Sequence, residues 1–390
     1  MTAPSAANAT PPIEASHPDS LASRVSGAVL LLFMAAGLLS TVVAVATDRL
    51  DLAPHPLTRD AFLDGASMRD MASALADAPM AHHAATLERQ ASWLAIGDLG
   101  PQVRQGCTGW LFLAEELAPQ KDAMALQTAR AKAVIEIRDE LRQRGIQLVV
   151  AMVPDKSRVD SRQLCGLNRP AVFENRLRAW ISRLKAADVA VVDTTPALQA
   201  LQEHGKEPFL RTDTHWNETG AAAAAQAVAA FIRSRGIDAE PHQDYDIQAA
   251  APAVRPGDLV RLAGVDGLPA AWQPAPEQAV SSSFTPRKAA EGGAKASAED
   301  ELFGDQNLPT VALIGTSFSR NSHFSEFLAA AVQSPVASFA KDGGNFWGSA
   351  GAYFSSDAFK QTPPRLIVWE IPERTLQLPQ HNERWVLPGT

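Results

Sequence analysis

Cysteine is nearly absent from this chain of 390 residues, which holds only Cys107 and Cys165. Two thiols without C-x-x-C spacing make a poor metal site, so no zinc centre, and no other metal, is expected. Blocks of basic residues are missing too, and the formal net charge is −8. That balance argues against nucleic acid as the partner. The acidity is spread along the chain, where its role is solubility. No internal repeat is found. What remains is an ordinary globular composition. Hydrophobic residues make up 46% of it, so a sizeable core can be buried, and the length suits one large domain or two ordinary ones.

One stretch lacks charge altogether: "VSGAVLLLFMAAGLLSTVVAVAT", residues 25–47. At about 1.5 Å per residue it spans roughly 34 Å as a helix, enough to cross a bilayer core. A buried core helix would show a polar face, and this run has none. The reading preferred is an uncleaved transmembrane signal anchor. A cleavable signal peptide is the rival, since Ala44, Val45 and Ala46 form a small-x-small site. Either way the bulk of the chain is exported. Residues 1–24, rich in Ala, Ser and Pro, read as a disordered cytoplasmic tail. In an oxidising compartment Cys107 and Cys165 can pair, and closing that loop would stabilise the fold by about 4 kcal/mol in the chain-entropy model. The alternative is two unpaired buried thiols.

Residues 48–99 read as a neck or cap segment. From 100 to 390, apolar strand patterns alternate with helical ones. Strands are expected at 146–154, 189–193, 310–315, near 336 and at 365–373. Helices are expected at 122–144, 171–186, after a cap at Asn217 or Thr219, and at 323–333. Continuous apolar strands alternating with helices imply a parallel sheet covered on both faces, hence an α/β domain of the doubly wound kind. Residues 267–306, rich in Pro, Ala, Ser and Gly, read as a low-complexity insertion, partly disordered.

Chemistry in open parallel sheets collects at the carboxyl ends of strands. Two such places carry reactive residue types. "RTDTHWNETG" holds Asp213 and His215 two residues apart, ahead of an alanine-rich helix. "LIGTSFS" ends a strand at Gly315 and offers Ser317. A serine hydroxyl is a weak nucleophile near neutral pH. It needs a base within hydrogen-bond reach, and the base needs its tautomer fixed by a third group. Ser317 as nucleophile, His215 as base and Asp213 as orienting carboxylate supply those roles. The α/β-hydrolase elbow does not fit, because residue 319 is serine and not glycine. Subtilisins do not fit either, because their Asp and His lie in separate motifs.

Five motifs occur in order: "GWLFL" at 109–113, "VPDKSRVD" at 153–160, "DTHWNETGA" at 213–221, "LIGTSFS" at 313–319 and "LIVWEIPER" at 366–374. Together they resemble the AlgJ/AlgX family of polysaccharide O-acetyltransferases over about residues 100–375. The likeness is nearer the AlgJ branch, because only about 70 residues follow Ser317. The resemblance implies an SGNH-hydrolase-like fold and an Asp213–His215–Ser317 triad. It also implies a catalytic domain held at the bacterial inner membrane and facing the periplasm, with a membrane-bound O-acyltransferase as acetyl donor. The acceptor would be a secreted exopolysaccharide, alginate, cellulose or another, and no bound cofactor is implied. For the oxyanion, the Ser317 amide is expected as one donor, with Gly344 and Asn345 as further candidates. Lys156 and Arg158 are candidates to contact an anionic sugar. Trp216 and Trp347 form either a sugar-stacking wall or part of the core. Two rival functions use the same residues: a carbohydrate acetylesterase, in which water attacks the acyl-enzyme, and a non-catalytic envelope scaffold or polymer-binding protein.

Overall fold

A computed structural model describes residues 21–53, 58–63, 65–287 and 308–379. Most of the expected tail, residues 1–20, and the later part of the expected insertion, 288–307, lie outside the described residues. The chain divides into two compact units, residues 1–91 and 92–390.

The first unit contains helix α1, Leu21–Ala46, followed by two short helices, Arg59–Leu63 and Ala66–Ala76. Helix α1 reaches a mean hydropathy of 2.5, is long and apolar enough to cross a membrane, and buries only Ala44. A soluble core helix would hide one apolar face. This one exposes apolar side chains all round, as lipid contact requires.

The second unit is built on a five-stranded sheet. Its strands are β1 (Gln147–Val153), β2 (Ala190–Asp193), β3 (Val311–Ile314), β4 (Val336–Ser338) and β5 (Leu366–Pro372). They lie in the order β4-β3-β5-β1-β2, and every pairing is parallel. Alternate residues of each strand point to opposite faces. In β1, Leu148, Val150 and Met152 enter one core while Val149, Ala151 and Val153 enter the other. The first core is completed by helices α2 (Ala123–Gln143) and α3 (Arg176–Ala186), by way of Ile137, Leu141, Leu177 and Trp180. The second is completed by helix α4 (Glu218–Ser234) and helix α5 (Phe324–Val332), through Ala221, Ala224, Val228, Phe324 and Leu328. Full burial of both faces is why these strands read as unbroken apolar runs.

The alanines of α4 let it approach closely. Asn217 caps it, its side chain accepting the Gly220 amide at 3.0 Å. A Cβ on Gly220 would come within 2.2 Å of the Pro208 carbonyl oxygen, so the chain entering the helix needs glycine there.

Two outlying features complete the second unit. A hairpin pairs Val103–Gln105 with Leu111–Leu113. Cys107, in its turn, is disulfide-bonded to Cys165. The insertion expected from 267 is folded through Arg287: Glu277–Ala279 pairs with Ala253–Arg255, and Ser282–Pro286 with Tyr245–Ala249.

Candidate active site

The loop between Leu210 and Asn217 and the turn after β3 meet at the carboxyl end of the sheet. Asp213 Oδ1 accepts from the His215 backbone amide at 3.0 Å and lies 2.6 Å from Nδ1 of the same residue. His215 Nε2 lies 2.8 Å from Ser317 Oγ. The two residues are 102 positions apart in sequence. Asp213 and His215 are buried, and Ser317 is partly exposed. Burial pushes the Asp213 carboxyl up, but the hydrogen bond and charge of His215, helped by Arg255, outweigh it and hold the group well below the usual carboxylate range. Asp213 is therefore ionised at neutral pH, which fixes a proton on Nδ1 and leaves Nε2 free to accept one from the serine.

A buried carboxylate supports the turn that carries Ser317. Glu370, in the middle of β5, accepts the Thr316 amide at 2.6 Å and the Ser319 hydroxyl at 3.0 Å. Thr316 Oγ1 also donates to it at 3.0 Å, and accepts the Phe318 amide at 3.3 Å. Burial raises the Glu370 carboxyl above its ordinary range, and these hydrogen bonds partly offset the rise. A Cβ on Gly315 would lie 2.4 Å from Ser319 Oγ and 2.6 Å from Glu370 Oε2, so only glycine lets the carboxylate tuck under the turn. Ser319 is fully buried and spent on Glu370, whereas Ser317 faces His215.

Two clefts meet at Ser317. One, of about 700 Å³, is lined by His215, Asn345, Arg104 and Arg374 among others. The second, of about 490 Å³, is lined by His215, Arg255, Arg261 and Asn321. Ser317, Asp258 and Gly343 belong to both. Among the described residues, Asp213, His215 and Asp258 form the one cluster whose potential ligand atoms all lie within 4.8 Å of each other. Both imidazole nitrogens are already engaged, Nδ1 by Asp213 and Nε2 by Ser317, so a cation there would displace one of those bonds.

Apart from Arg374, the residues of this site fall in a stretch that matches a known family model. Residues 103–373 fit the model described as "SGNH hydrolase-like domain, acetyltransferase AlgX". The chain belongs to the AlgX SGNH hydrolase-like family. Among curated members, the probable alginate O-acetylase AlgJ of Pseudomonas putida is 36% identical, over 73% of this chain and 72% of its own length. AlgJ of Pseudomonas aeruginosa is 33% identical, over 73% and 74%. The solved O-acetyltransferase domain of Pseudomonas putida AlgJ superposes with a TM-score of 0.62 at 32% identity, covering 72% of this chain and 94% of that one. Membership of the AlgX family and its SGNH-like α/β fold are thus established.

Several expected site residues take other positions. Lys156 is turned inward: it is buried, and its ammonium donates to the carbonyls of Leu111, Arg211 and Asp213 at 2.7, 2.8 and 3.0 Å. That exhausts its three donors and ties the hairpin and β1 to the Asp213 loop. Arg158 is no free sugar ligand either. It forms a bidentate pair with Glu373 at 2.6 and 2.7 Å, within a buried cluster that also holds Asp155, Arg169 and Arg176. Trp216 is fully buried, its indole donating to the Phe318 carbonyl at 3.1 Å, and so belongs to the core. Trp347 likewise packs in the first core, against Trp369. The Gly344 amide is spent on the Lys341 carbonyl at 3.1 Å, which removes it as an oxyanion donor, while its neighbours Gly343 and Asn345 line the first cleft.

Sequence reasoning gave no role to Glu370, Asp258, Arg104 or Arg374. Glu370 had a signal, a lone charge in the apolar run "LIVWEIP", because a charge on a fully buried strand must have a partner. Asp258 had none: "RPGDLV" reads only as a turn.

Proposed function

We propose that this protein transfers acetyl groups to hydroxyls of a secreted, alginate-like polysaccharide through an acyl-enzyme on Ser317. The observation that carries the reading is the continuous relay Ser317 Oγ–His215 Nε2 at 2.8 Å and His215 Nδ1–Asp213 Oδ1 at 2.6 Å, in a family whose named members are alginate O-acetylases. His215 takes the Ser317 proton as Oγ attacks the carbonyl carbon of the incoming acetyl group. The C–O or C–S bond to the donor breaks, and the donor group leaves with that proton from His215. In the second half the sugar hydroxyl gives its proton to Nε2 and attacks the acyl carbon. Ser317 departs, recovers the proton, and the acetyl ester remains on the sugar.

The negative charge on the carbonyl oxygen in each step needs preorganised donors. The Ser317 amide serves as one and the Asn345 side chain as another. Arg104 and Arg374 in one cleft and Arg255 and Arg261 in the other suit the carboxylates of a uronic-acid polymer on both sides of the acceptor. Helix α1 supports tethering of the domain at the inner membrane, on the periplasmic side, beside a membrane-bound O-acyltransferase that delivers the acetyl group.

The decisive experiment incubates the protein with an activated acetyl ester and an oligomannuronate. Acetylated oligosaccharide in wild type and none in Ser317→Ala is the expected result. Hydrolysis of the ester with no acetylated sugar would replace this reading with an acetylesterase. Failure of a serine-directed phosphonate to label Ser317 would replace it with a non-catalytic binding protein.

A further inference from the structure

Resting on the acyl-enzyme reading above, we propose that Asp258 is a positioning residue for the reaction, a second carboxylate that clamps the Asp213–His215 loop and stands behind the imidazole when it becomes charged. Three observations lead there. Asp258 holds the amide and the hydroxyl of Thr214, the residue between Asp213 and His215. Its Oδ1 accepts the Thr214 amide at 2.7 Å and its Oδ2 the Thr214 hydroxyl at 2.5 Å. That hydroxyl oxygen lies 3.2 Å from His215 Nδ1. Next, the Asp258 backbone amide donates to Asp213 Oδ2 at 3.2 Å. Asp213 therefore has one oxygen turned to His215 and the other tied down by the 258 segment, so its carboxylate cannot rotate away. Finally, Asp258 Oδ2 itself lies 3.6 Å from Nδ1, the ring nitrogen that does not face Ser317.

The fold goes out of its way to bring this residue in. Asp258 lies in the sequence 45 positions from Asp213, and its segment can approach only because residue 257 is glycine. A Cβ there would sit 1.9 Å from the Thr212 carbonyl oxygen. Leu259 then donates to that same carbonyl at 3.2 Å. Segments 212–214 and 257–259 are thus laced together, with the side chain of Asp258 as the polar core of the lacing.

The catalytic meaning follows from where charge develops. When His215 takes the Ser317 proton it becomes an imidazolium in a buried place, and each nearby anion lowers the cost of that step. Asp213 is the first such anion and Asp258 the second. The clamp also fixes the ring plane, on which the Nε2–Oγ distance depends. Asp258 also lines both clefts, but its hydrogen bonds go to the loop that holds the base, so its removal acts on turnover more than on substrate binding.

The test uses the full chain, p-nitrophenyl acetate as the probe ester, and three variants. Asp258→Asn keeps the shape and removes the charge. Thr214→Val cuts the hydroxyl link while leaving Asp258 in place. Ser317→Ala reports on the underlying reading. The expected result for Asp258→Asn is a kcat about tenfold lower, with KM within about twofold and the melting temperature unchanged. A smaller fall in kcat is expected for Thr214→Val, together with slower phosphonate labelling of Ser317 in both variants. Wild-type kcat and labelling rate in a folded Asp258→Asn protein would overturn the proposal. So would a loss that tracks only a lowered melting temperature, which would make Asp258 a structural residue. Full ester turnover in Ser317→Ala would instead sink the acyl-enzyme reading itself, and the two failures are distinguishable.

Discussion

The carboxylate of Glu370 accepts the backbone amide of Thr316 at 2.6 Å, immediately before the residue that faces His215. It also takes the hydroxyls of Thr316 and Ser319, so three donors converge on one fully buried group. Removing the acceptor leaves these donors buried and unpaired, at about 1–3 kcal/mol each. Glu370→Ala should therefore lower stability by several kcal/mol and slow phosphonate labelling of Ser317. Glu370→Gln retains an acceptor and should cost far less. Thermal melts of the two variants check this, and equal melting temperatures would refute it.

Asp213→Asn removes the negative charge behind His215 while preserving its shape. Such a change favours the wrong imidazole tautomer and withdraws the support for the imidazolium. The expected loss in kcat is about 10³–10⁴-fold, with little change in KM. Steady-state kinetics with a small acetyl ester measures it.

Lys156 gives a prediction in pH. Burial depresses its ammonium from the ordinary lysine value to about 8, against the opposing pull of Asp160, Glu116, Glu277 and Asp213. Between about 8 and the ordinary lysine range the unfolded chain holds a proton that the folded chain has lost. Stability from this group thus rises with pH through that window, by about 3 kcal/mol in all. Lys156→Met should abolish that rise. It should also destabilise the protein at pH 7, because the carbonyls of Leu111, Arg211 and Asp213 lose their common donor. Denaturant melts from pH 7 to 10 on both proteins test the sign.

Breaking the Cys107–Cys165 bond frees a loop with a sequence separation of 58. The chain-entropy model gives a loss of about 4 kcal/mol. The cost should be felt at the site, because the hairpin that this bond anchors passes the Leu111 amide to the Arg211 carbonyl at 2.9 Å. Cys107→Ser should lower the melting temperature and reduce turnover in the surviving folded protein. Reductant should do the same to wild type and nothing further to the variant.

Arg104→Ala and Arg374→Ala should raise KM for an anionic oligouronate by roughly tenfold each, an effect that shrinks as salt is added. Turnover of a neutral acetyl ester should change little. A loss of equal size on both substrates would place these arginines in the folding of the site and not in polymer recognition.

Much of this architecture could be read from the chain. Strands at 146–154, 310–315 and 365–373 declare themselves because both faces of the sheet are covered, so their residues are apolar without interruption. The pairing of Asp213 and His215 was visible because both lie on one short loop, and Ser317 because a serine closes an apolar strand. The misreadings share a cause. Lys156 and Arg158 follow the end of β1, where substrate contacts are common, and a sequence does not tell whether a long polar side chain turns outward or folds back onto carbonyls and carboxylates. Glu370 and Asp258 act through neighbours 54 and 44 residues away, a distance at which local pattern carries no information. The Gly344 amide was lost to a hydrogen bond within its own turn, a matter of backbone geometry that "KDGGNFW" does not disclose.

Strand β5 is the last of the five to be synthesised, yet it occupies the middle of the sheet, between β3 and β1. Until it arrives the sheet exists as two separate pairs, one carrying Ser317 and the other carrying the scaffold of Lys156. Long-range parallel pairing of this kind is slow and leaves strand edges open meanwhile. The same strand brings Glu370, so the support beneath the Ser317 turn and the keystone of the sheet enter in a single step. A chain arrested or clipped before residue 366 would be more than a weakened enzyme. It would present two sticky half-sheets and an unbuttressed serine, and quality control, not catalysis, would decide its fate.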